Sequence, residues 1–514
     1  MRGAVVNGRR MKLVGGLAVA LAVVGGLGAT GAAAAPGSPN GPRYTAGSPG
    51  AGDTYFPNAG NGGYDVQHYD LDLTYAPPEA DPAPLVGQLD GTATIDLVAT
   101  QDLDRFNLDL RGMEVGSLTV NGKPATAVAP PAPGAEVDGA AYWHVQNDAD
   151  RIWELTVQPR PKLKAGESVQ LVIEYGGQTA RPLDIEEALY GWVTTRDGAM
   201  VVSEPDGSMT WYPVSDHQTD KASYSFAITV PEGKVAVANG MQPKPEETAG
   251  GWTTWYWDAP DQQASYLTTA SVGDFDLRDT YYSASGVPII DAVDADVTPA
   301  RLLVTNASLA RQVEMIDFYE QYFGGYPFVA YGSIVDDDTV FYALETQTRP
   351  VYSRQASEGT VAHELAHQWF GDAVSPERWQ DIWLNEGWAS YASWMWDEHD
   401  GGATVQESYN EWYASEEPDS EYWDLQIGDP GPLGLFQDPV YDRGAGALHA
   451  LRLELGDETF FAGTQLWLER YNDSAGTAED FQAVFEEVSG EDLDGFFQTW
   501  LYEQAKPPAT WTTP

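Results

Sequence analysis

The first half of the chain is dominated by short segments in which apolar and polar residues alternate. Within residues 66–75, apolar side chains occupy every second position, at Tyr69, Leu71, Leu73 and Tyr75. Similar alternation recurs in later segments as far as residue 230. Because successive side chains of a strand point to opposite faces of a sheet, a period of two predicts strands with one buried face. The pattern therefore predicts an antiparallel β domain over residues 64–275.

Beyond about residue 276 the spacing of apolar residues becomes helical. Leu309, Val313 and Ile316 recur at intervals of three or four residues, which indicates one buried helix face. Further segments that read as helices are residues 357–370, 384–396, 444–455, 460–471, 478–488 and 493–505. The whole pattern predicts a multidomain α+β chain, in which the β domain precedes a mainly helical domain over residues 276–514.

The N-terminal 63 residues contain neither pattern. Four basic residues precede an apolar run over residues 13–29, and small residues follow it at 31–35. This order is typical of a secretory signal peptide, which we predict over residues 1–35, and we therefore expect a secreted protein. The alternative is a single membrane anchor, against which the short, Gly-rich run argues. Residues 36–63 are rich in Gly, Pro, Ser and Asn and are predicted to form a flexible leader.

The composition restricts both the partners and the chemistry. The formal net charge is −50, from 77 acidic and 27 basic residues. A surface of this charge repels nucleic acids and anionic membranes, so we expect no nucleic acid partner and no stable membrane insertion after signal cleavage. The chain contains no cysteine, so disulfides and thiol catalysis are excluded. A bound zinc ion would have to be held by His, Asp or Glu.

The strongest chemical signal is the segment His363-Glu-Leu-Ala-His367. Two imidazoles four residues apart on a helix lie about one turn apart on the same face, so both can bind one metal ion. Glu364 lies about 100° further round the helix and can face a metal-bound water instead. Zn²⁺ is well served by two imidazole nitrogens and one carboxylate oxygen, with a fourth position open for water. Glu386 is the candidate for the carboxylate.

The alternative interpretation is a pair of histidines on a helix surface, with a solvated glutamate downstream. The chain has only 7 histidines, so two of them at this spacing are less easily accidental. Glu386 follows His367 after 18 intervening residues, a gap that fits the end of one helix, a loop and the start of an antiparallel helix. The two features together predict one zinc ion per chain.

The residues around this motif resemble a known family. The segments His363-Glu-Leu-Ala-His367-Gln-Trp-Phe-Gly and Trp383-Leu-Asn-Glu386-Gly are similar to the zinc signature of the aminopeptidase N-like gluzincins, peptidase family M1, which include leukotriene hydrolase. The resemblance implies a saddle-like β domain followed by a thermolysin-like catalytic domain. It also implies that His363, His367 and Glu386 are the zinc ligands and that Glu364 is the general base.

The resemblance extends to Tyr441, in Pro439-Val-Tyr-Asp-Arg-Gly444. The family has a tyrosine at the corresponding place, whose hydroxyl donates a hydrogen bond to the oxyanion of the tetrahedral intermediate. The chain has 27 tyrosines, and most tyrosines are packing residues, which is the alternative interpretation. The match to the family motif is what selects Tyr441.

Two glutamates are implicated in substrate binding by the same resemblance. Glu345 stands in a segment where the family pattern is GxMEN, but here the sequence is Tyr-Ala-Leu-Glu-Thr, so only the glutamate is kept. In the family this glutamate binds the free α-amine of the substrate. Glu204 corresponds to a Gln or Glu on the β domain that provides a second anchor for the amine. The alternatives are an exposed strand residue for Glu345 and a turn carboxylate for Glu204.

These features predict a secreted, monomeric, zinc-dependent aminopeptidase that acts on peptides with a free N-terminus. Family members often carry a large C-terminal helical domain, and we expect a short bacterial-type form without it, with a more open cleft. Two alternatives remain open from the sequence. One is a different activity at the same zinc site, as an endopeptidase or an epoxide hydrolase. The other is a non-catalytic, peptide-binding homologue.

Overall fold

A computed structural model of the chain describes residues 44–78, 85–132, 135 and 137–511. The signal peptide predicted over residues 1–35 lies outside the described residues, as does the first part of the predicted leader. None of the helices in the described ranges combines the length and the apolar character that crossing a membrane requires.

Strands make up most of the first half, as the alternating pattern predicts. Up to residue 202 they are Thr45–Ala46 (β1), Tyr64–Ala76 (β2), Gly87–Ala99 (β3), Leu103–Asp109 (β4), Glu114–Val120 (β5), Lys123–Pro124 (β6), Thr126–Ala127 (β7), Ala141–Asn147 (β8), Ile152–Gln158 (β9), Ser168–Thr179 (β10), Gly191–Thr194 (β11) and Ala199–Val202 (β12). From residue 222 to residue 277 they are Ala222–Pro231 (β13), Val235–Ala238 (β14), Glu247–Ala249 (β15), Trp252–Gln263 (β16), Ala270–Gly273 (β17) and Phe275–Leu277 (β18).

An eight-stranded sheet forms the centre of this half, in the order β15-β16-β13-β2-β3-β10-β5-β6. In β2 the side chains of Tyr69, Leu71 and Leu73 are buried and the residues between them are exposed, so the predicted alternation is confirmed. Its strand pairs are antiparallel apart from β13, which runs parallel to β2. A five-stranded sheet, β1-β4-β9-β8-β7, and a four-stranded sheet, β11-β12-β17-β14, complete the half.

Residues 44–63 are folded, which differs from the flexible leader expected from their composition. β1 pairs in parallel with β4, and Phe56 is buried against the ring of Trp379. The carboxylate of Asp53 accepts hydrogen bonds from the backbone N–H of Phe56 at 3.0 Å and of Trp379 at 2.9 Å. A composition rich in Gly, Pro, Ser and Asn is shared by flexible leaders and by packed segments with many turns, so it did not reveal these long-range contacts.

The second half also contains strands. They are Tyr281–Tyr282 (β19), Pro288–Asp294 (β20), Tyr331–Asp336 (β21), Ala343–Leu344 (β22), Val351–Ser353 (β23), Val374–Pro376 (β24) and Ser474–Gly476 (β25). One sheet has the strand order β18-β20-β21-β23-β22, with β19 beside β20, and its strands β20, β21 and β23 are parallel. Because β18 belongs to this sheet, the boundary predicted at residue 275 falls inside it. β20 and β21 are buried almost throughout, so they show no alternation in the sequence.

Helices form most of the rest of the second half. They are Pro299–Leu309 (α1), Gln312–Phe323 (α2), Glu358–His367 (α3), Trp383–His399 (α4), Val405–Ser415 (α5), Asp438–Leu455 (α6), Asp457–Tyr471 (α7), Ala478–Ser489 (α8) and Asp494–Phe497 (α9). The 3-10 turns are Ser208–Thr210, Ser265–Leu267, Trp379–Asp381, Glu421–Asp424 and Ala509–Trp511, and a π-helical turn spans Gln498–Tyr502. A β-rich half followed by a mainly helical half confirms the predicted fold class.

The helix boundaries differ from the prediction in two informative places. α6 begins at Asp438, six residues before the predicted start at Gly444, because Pro439 is accommodated in the first helical turn. α5 was not predicted, although Thr404 and Glu407 form a reciprocal capping box at its start. From Arg43 onward the chain forms one compact unit, so packing joins the β-rich and helical halves directly.

Candidate active site

Helix α3 carries the two histidines of the motif. Ser357 caps its start, where the side-chain oxygen accepts a hydrogen bond from the N–H of Thr360 at 3.3 Å. His363 and His367 lie one turn apart and face α4, which packs against α3. Glu386 lies in the first turn of α4, so the loop between the two helices returns its carboxylate to the histidines.

The three predicted ligands converge on one point. The Nε2 atoms of His363 and His367 are 3.2 Å apart, and they lie 3.2 Å and 3.4 Å from Oε2 of Glu386. Nitrogen and oxygen ligands of a tetrahedral Zn²⁺, at about 2.0–2.1 Å from the ion, lie about 3.3–3.4 Å from one another. The donor set and the spacing therefore fit a zinc ion with its fourth position open. His367 and Glu386 are almost fully buried, unlike the solvated surface residues of the alternative interpretation.

The electrostatics of the triad also suit a cation. Burial alone would lower the pKa of His367, but the carboxylates of Glu345 and Glu386 raise it well above its ordinary value. Burial acts to raise the pKa of Glu386, but the two imidazoles outweigh it and hold that pKa at about 2. Positive charge is thus favoured where the ligand atoms converge.

A backbone carbonyl orients one ligand. Nδ1 of His367 lies 3.0 Å from the carbonyl oxygen of Phe370, so this nitrogen donates and Nε2 is free to bind a metal. Two carboxylates that are close in sequence have other partners. Asp372 accepts a hydrogen bond from Gln368 at 2.7 Å, and Asp381 lies 2.8 Å from the guanidinium of Arg378.

The triad opens into a cavity of about 310 Å³. All seven residues that the sequence singled out line it: Glu204, Glu345, His363, Glu364, His367, Glu386 and Tyr441. They come from both halves of the chain, because Glu204 follows β12 and Glu345 follows β22. The cavity therefore lies where the β-rich half meets the helical half, which is a usual position for a binding site.

Glu204 and Glu345 present unsatisfied carboxylates to this cavity. Each has an Oε1 atom that is buried and has no hydrogen-bond partner among the described residues. Burial and the neighbouring carboxylate of Glu345 raise the pKa of Glu204 well above its ordinary value. Burial likewise raises the pKa of Glu345, although His367 opposes the shift. Buried carboxylates of this kind are costly without a partner, so the pair favours a cationic ligand.

Glu364 and Tyr441 complete the chemistry of the cavity. Glu364 is 5% exposed, and burial raises the pKa of its carboxyl group well above the ordinary value, against the opposing effect of His367. The ring of Tyr441 stacks on that of His363, with centroids 6.1 Å apart and planes at 24°. Burial raises the pKa of Tyr441 above its ordinary value, so its phenol is a hydrogen-bond donor at neutral pH.

The sequence did not identify several residues of the site. Asp184 and Glu186 line the cavity from a loop before β11, and Tyr342 and Phe436 add aromatic walls. Residues 184–187 are mostly acidic, but no spacing in the sequence connects them with the histidine motif, which begins more than 170 residues later. Such contacts depend on how the two halves pack.

Gln368 is another residue whose role was not apparent. Its side-chain N–H donates to the backbone carbonyl of Glu345 at 3.0 Å, and its side-chain oxygen accepts from the N–H of Thr348 at 2.7 Å. It therefore ties the end of α3 to the segment that carries Glu345. Gln368 directly follows His367 in the sequence, but only the structure shows which residues it contacts.

Comparison with known proteins agrees with this architecture. The family profile described as "Peptidase family M1 domain" matches residues 308–500, and the one described as "Peptidase M1 N-terminal domain" matches residues 66–267. The first match contains the zinc triad and Tyr441. The second match contains Glu204, so residues from both matched regions line the cavity.

Relatives and solved structures point the same way. Aminopeptidase N of Streptomyces lividans is 26% identical over 55% of this chain and 35% of its own length. Leucyl aminopeptidase of Saccharolobus solfataricus is 26% identical over 68% of this chain and 47% of its own length. The chain thus spans less than half of these curated relatives. A crystallised variant of the M1 zinc metallopeptidase from Deinococcus radiodurans, bound to a Tyr-Ser-Ala substrate, matches with a TM-score of 0.77 and 27% identity, over 90% of this chain and 100% of that chain.

Two family profiles cover most of the described chain, and a zinc metallopeptidase shares the fold over 90% of this chain. The ligand geometry of His363, His367 and Glu386 is the one that such an enzyme needs. The chain belongs to peptidase family M1, among the aminopeptidase N-like zinc metallopeptidases.

Proposed function

We propose that this chain removes the N-terminal residue from peptides by zinc-dependent hydrolysis of the first peptide bond. The observation that carries the proposal is that Glu204 and Glu345 both line the cavity beside His363, His367 and Glu386, and that each has one carboxylate oxygen without a hydrogen-bond partner in the described part of the chain. A protonated α-amine brings one positive charge and three N–H donors, and it would satisfy both carboxylates. A substrate held by its amine beside the triad presents its first peptide bond for cleavage.

His363, His367 and Glu386 are the residues that would hold the metal. A zinc ion held by these residues would polarise a carbonyl and would lower the pKa of a water molecule towards 7. Glu364 accepts a proton from the attacking water and delivers it to the departing amine. Tyr441 donates a hydrogen bond to the carbonyl oxygen as negative charge develops on it. Glu364 is almost fully buried and Tyr441 is partly buried, which limits the competition of solvent for these interactions.

The comparisons support the substrate class. Two relatives are named for aminopeptidase activity, and the Deinococcus structure was solved with a Tyr-Ser-Ala substrate. A short peptide with a free N-terminus is thus the ligand that the site is expected to take. The acidic side chains of Asp184 and Glu186 at the cavity wall would favour a substrate with a basic side chain.

We also propose that the protein is secreted and acts as a monomer with one zinc ion. The basic N-terminal residues and the apolar run over residues 13–29 support export. Fractionation of a culture, followed by mass measurement of the mature protein in solution, tests cleavage of the signal and the oligomeric state. Atomic absorption tests the stoichiometry of zinc.

The deciding experiment compares free and blocked substrates. The purified full chain is assayed on a panel of aminoacyl-coumarin amides and on the same compounds with an acetylated amine. We expect the acetylated compounds to be cleaved about 10²-fold or more slowly, because Glu204 and Glu345 lose their cationic partner. Activity should disappear on chelation and return with zinc. Equal cleavage of blocked substrates would instead favour an endopeptidase.

Two further results separate the remaining alternatives. Glu364→Gln should retain one zinc ion per chain but lose turnover by about 10³-fold or more, since the general base is removed. Peptide binding by the zinc-loaded wild type without any turnover would support the non-catalytic alternative. Hydrolysis of an epoxide substrate in place of peptides would support the epoxide hydrolase alternative.

A further inference from the structure

A second group of acidic side chains lies where the two halves of the chain meet, outside the cavity of the zinc triad. Asp197 lies in the turn between β11 and β12, Asp294 is the last residue of β20, and Asp337 directly follows β21. One carboxylate oxygen from each of these residues lies within 4.8 Å of the other two. The three side chains are thus close enough to share one ligand.

Asp294 is the most deeply buried of the three, with 3% of its surface exposed. Its Oδ1 accepts a hydrogen bond from the N–H of Asp296 at 2.7 Å, whereas Oδ2 is buried and has no partner in the part of the chain that is described. A Cβ built on Gly273 would lie 3.3 Å from this oxygen and 3.2 Å from Oδ2 of Asp197. Both oxygens therefore border the same small space beside Gly273, which the ring of Phe275 also borders at 3.1 Å from that Cβ. Oδ2 of Asp197 in addition accepts a hydrogen bond from the N–H of Asp274 at 2.8 Å.

Two basic side chains lie near the group. The ammonium of Lys234 forms a salt bridge with Asp274 at 2.9 Å and a longer one with Oδ2 of Asp197 at 3.5 Å. The guanidinium of Arg181 pairs with Asp338 at 3.0 Å. Lys234 therefore partly balances Asp197, whereas Oδ2 of Asp294 has no partner among the described residues.

The carboxyl groups of this cluster are crowded and oppose one another's ionisation. Burial raises the pKa of Asp294 to about 7, and the neighbouring carboxylates of Asp197 and Asp337 add to the shift. Asp336 is 1% exposed, and its Oδ2 also lacks a hydrogen-bond partner among the described residues. Arg196 acts to lower the pKa of Asp337, but partial desolvation and nearby aspartates outweigh it. A bound cation of more than one charge would favour the ionised form of carboxyl groups crowded in this way.

We propose that Asp197, Asp294 and Asp337 bind one calcium ion. The donors are carboxylate oxygens only, without the nitrogen or sulfur that transition metals favour. The three oxygens lie within 4.8 Å of one another, so small shifts of the side chains would bring all of them to about 2.4 Å from one Ca²⁺ ion. Mg²⁺ usually keeps several waters and rarely uses a cage of protein carboxylates, so calcium suits the donor set better.

The position of the ion gives it a structural role. It would join the β11–β12 turn of the β-rich half to the ends of β20 and β21 in the second half. β12 leads directly to Glu204, and the sheet of β20 and β21 includes β22, which leads to Glu345. Calcium is thus expected to stabilise the relative position of the two proposed amine anchors.

The test uses the full chain loaded with zinc and passed over a chelating resin, with zinc retention confirmed by atomic absorption. Thermal unfolding is followed in about 0.3 M NaCl, which screens the general effect of added ions, without and with CaCl₂. Calorimetric titration with CaCl₂ measures binding directly. The variants are Asp294→Asn, Asp337→Asn and, as a control that removes an exposed carboxylate from β18, Asp276→Asn.

We expect the wild type and Asp276→Asn to bind one calcium ion and to gain about 3 °C in Tm when calcium is about 100 times its Kd. Asp294→Asn and Asp337→Asn should lose both the binding and the gain. Without calcium, Asp294→Asn should unfold at the same temperature as the wild type or higher, because a repulsive charge is removed. Asp337 is exposed, so its variant should fold in any case. An unchanged Tm and no binding heat in the wild type, or full binding in both aspartate variants, would overturn the proposal.

Discussion

Gly387 and Gly444 bring two helices of the active site into backbone contact. A Cβ added to Gly387 would lie 2.9 Å from the Cα of Gly444, and one added to Gly444 would lie 2.8 Å from the Cα of Gly387. Gly387 directly follows Glu386 in α4, and Gly444 lies about one turn after Tyr441 in α6. The contact therefore sets the distance between Glu386, the third of the proposed zinc ligands, and Tyr441, which lines the cavity.

Gly387→Ala tests whether this contact positions the site. The added methyl group forces α4 and α6 apart, so we expect the free energy of unfolding to fall by about 1–3 kcal/mol and kcat to fall more than KM changes. Gly359→Ala, in α3, is the matched control: no atom lies within 4 Å of its added Cβ. That variant should gain about 0.5–1 kcal/mol with unchanged kcat. Thermal unfolding and steady-state kinetics measure both, and equal behaviour of the two variants would refute the positioning role.

Removing the charge of either proposed amine anchor, Glu345 or Glu204, should change substrate binding without lowering stability. Glu345→Gln and Glu204→Gln preserve size but weaken binding of an ammonium group, so KM for free aminoacyl substrates should rise about tenfold or more. The preference for free over acetylated substrates should shrink in both. Because each wild-type carboxylate is buried and lacks one hydrogen-bond partner among the described residues, the Tm should stay constant or rise. Glu114→Gln, at an exposed strand position, should change neither property; a large fall in Tm with unaltered KM would contradict the anchor role.

Tyr441→Phe removes one hydrogen-bond donor from the cavity and leaves the ring that stacks on His363. We expect kcat to fall about 10²–10³-fold with KM and zinc content nearly unchanged, because the interaction strengthens only as charge develops on the substrate oxygen. The control is Tyr282→Phe, at a residue that is 62% exposed, which should leave kcat unaltered. A rise in KM at constant kcat would show instead that Tyr441 binds the ground state.

Asp220 should make stability depend on pH near neutrality. Burial raises the pKa of its carboxyl group to about 7 in the folded state, although the N–H of Val66 donates to Oδ1 at 3.0 Å. Between about pH 4 and pH 7 the unfolded chain therefore loses this proton while the folded chain keeps it, and the contribution to stability falls as pH rises. The Tm of the wild type should decline relative to that of Asp220→Asn between pH 5 and pH 7 and then stay parallel to it. A constant difference across this range would show that the carboxyl group ionises normally.

Much of the site could be predicted from the sequence because its residues are close in sequence or form a local pattern. The spacing of His363 and His367 places both imidazoles on one helix face whatever the rest of the chain does, and the geometry at 3.2 Å agrees with it. Alternation in β2 likewise follows from strand geometry alone. The family resemblance added Glu345 and Tyr441 to the predicted site, because the residues around them in the sequence do not by themselves indicate a role.

The sequence by itself determined the order of a β-rich and a helical half, the helix that carries His363 and His367, and Glu386 as the third member of the proposed zinc site. Only the tertiary structure decided that residues 44–63 are packed and that a sheet continues past residue 275. It also decided that Asp184, Gln368 and the aspartates around Asp294 become neighbours of distant residues. The physical reason is the range of the interactions. Helix and strand periods depend on residues a few positions apart, whereas close backbone contacts and buried charges depend on which surfaces meet when the two halves pack.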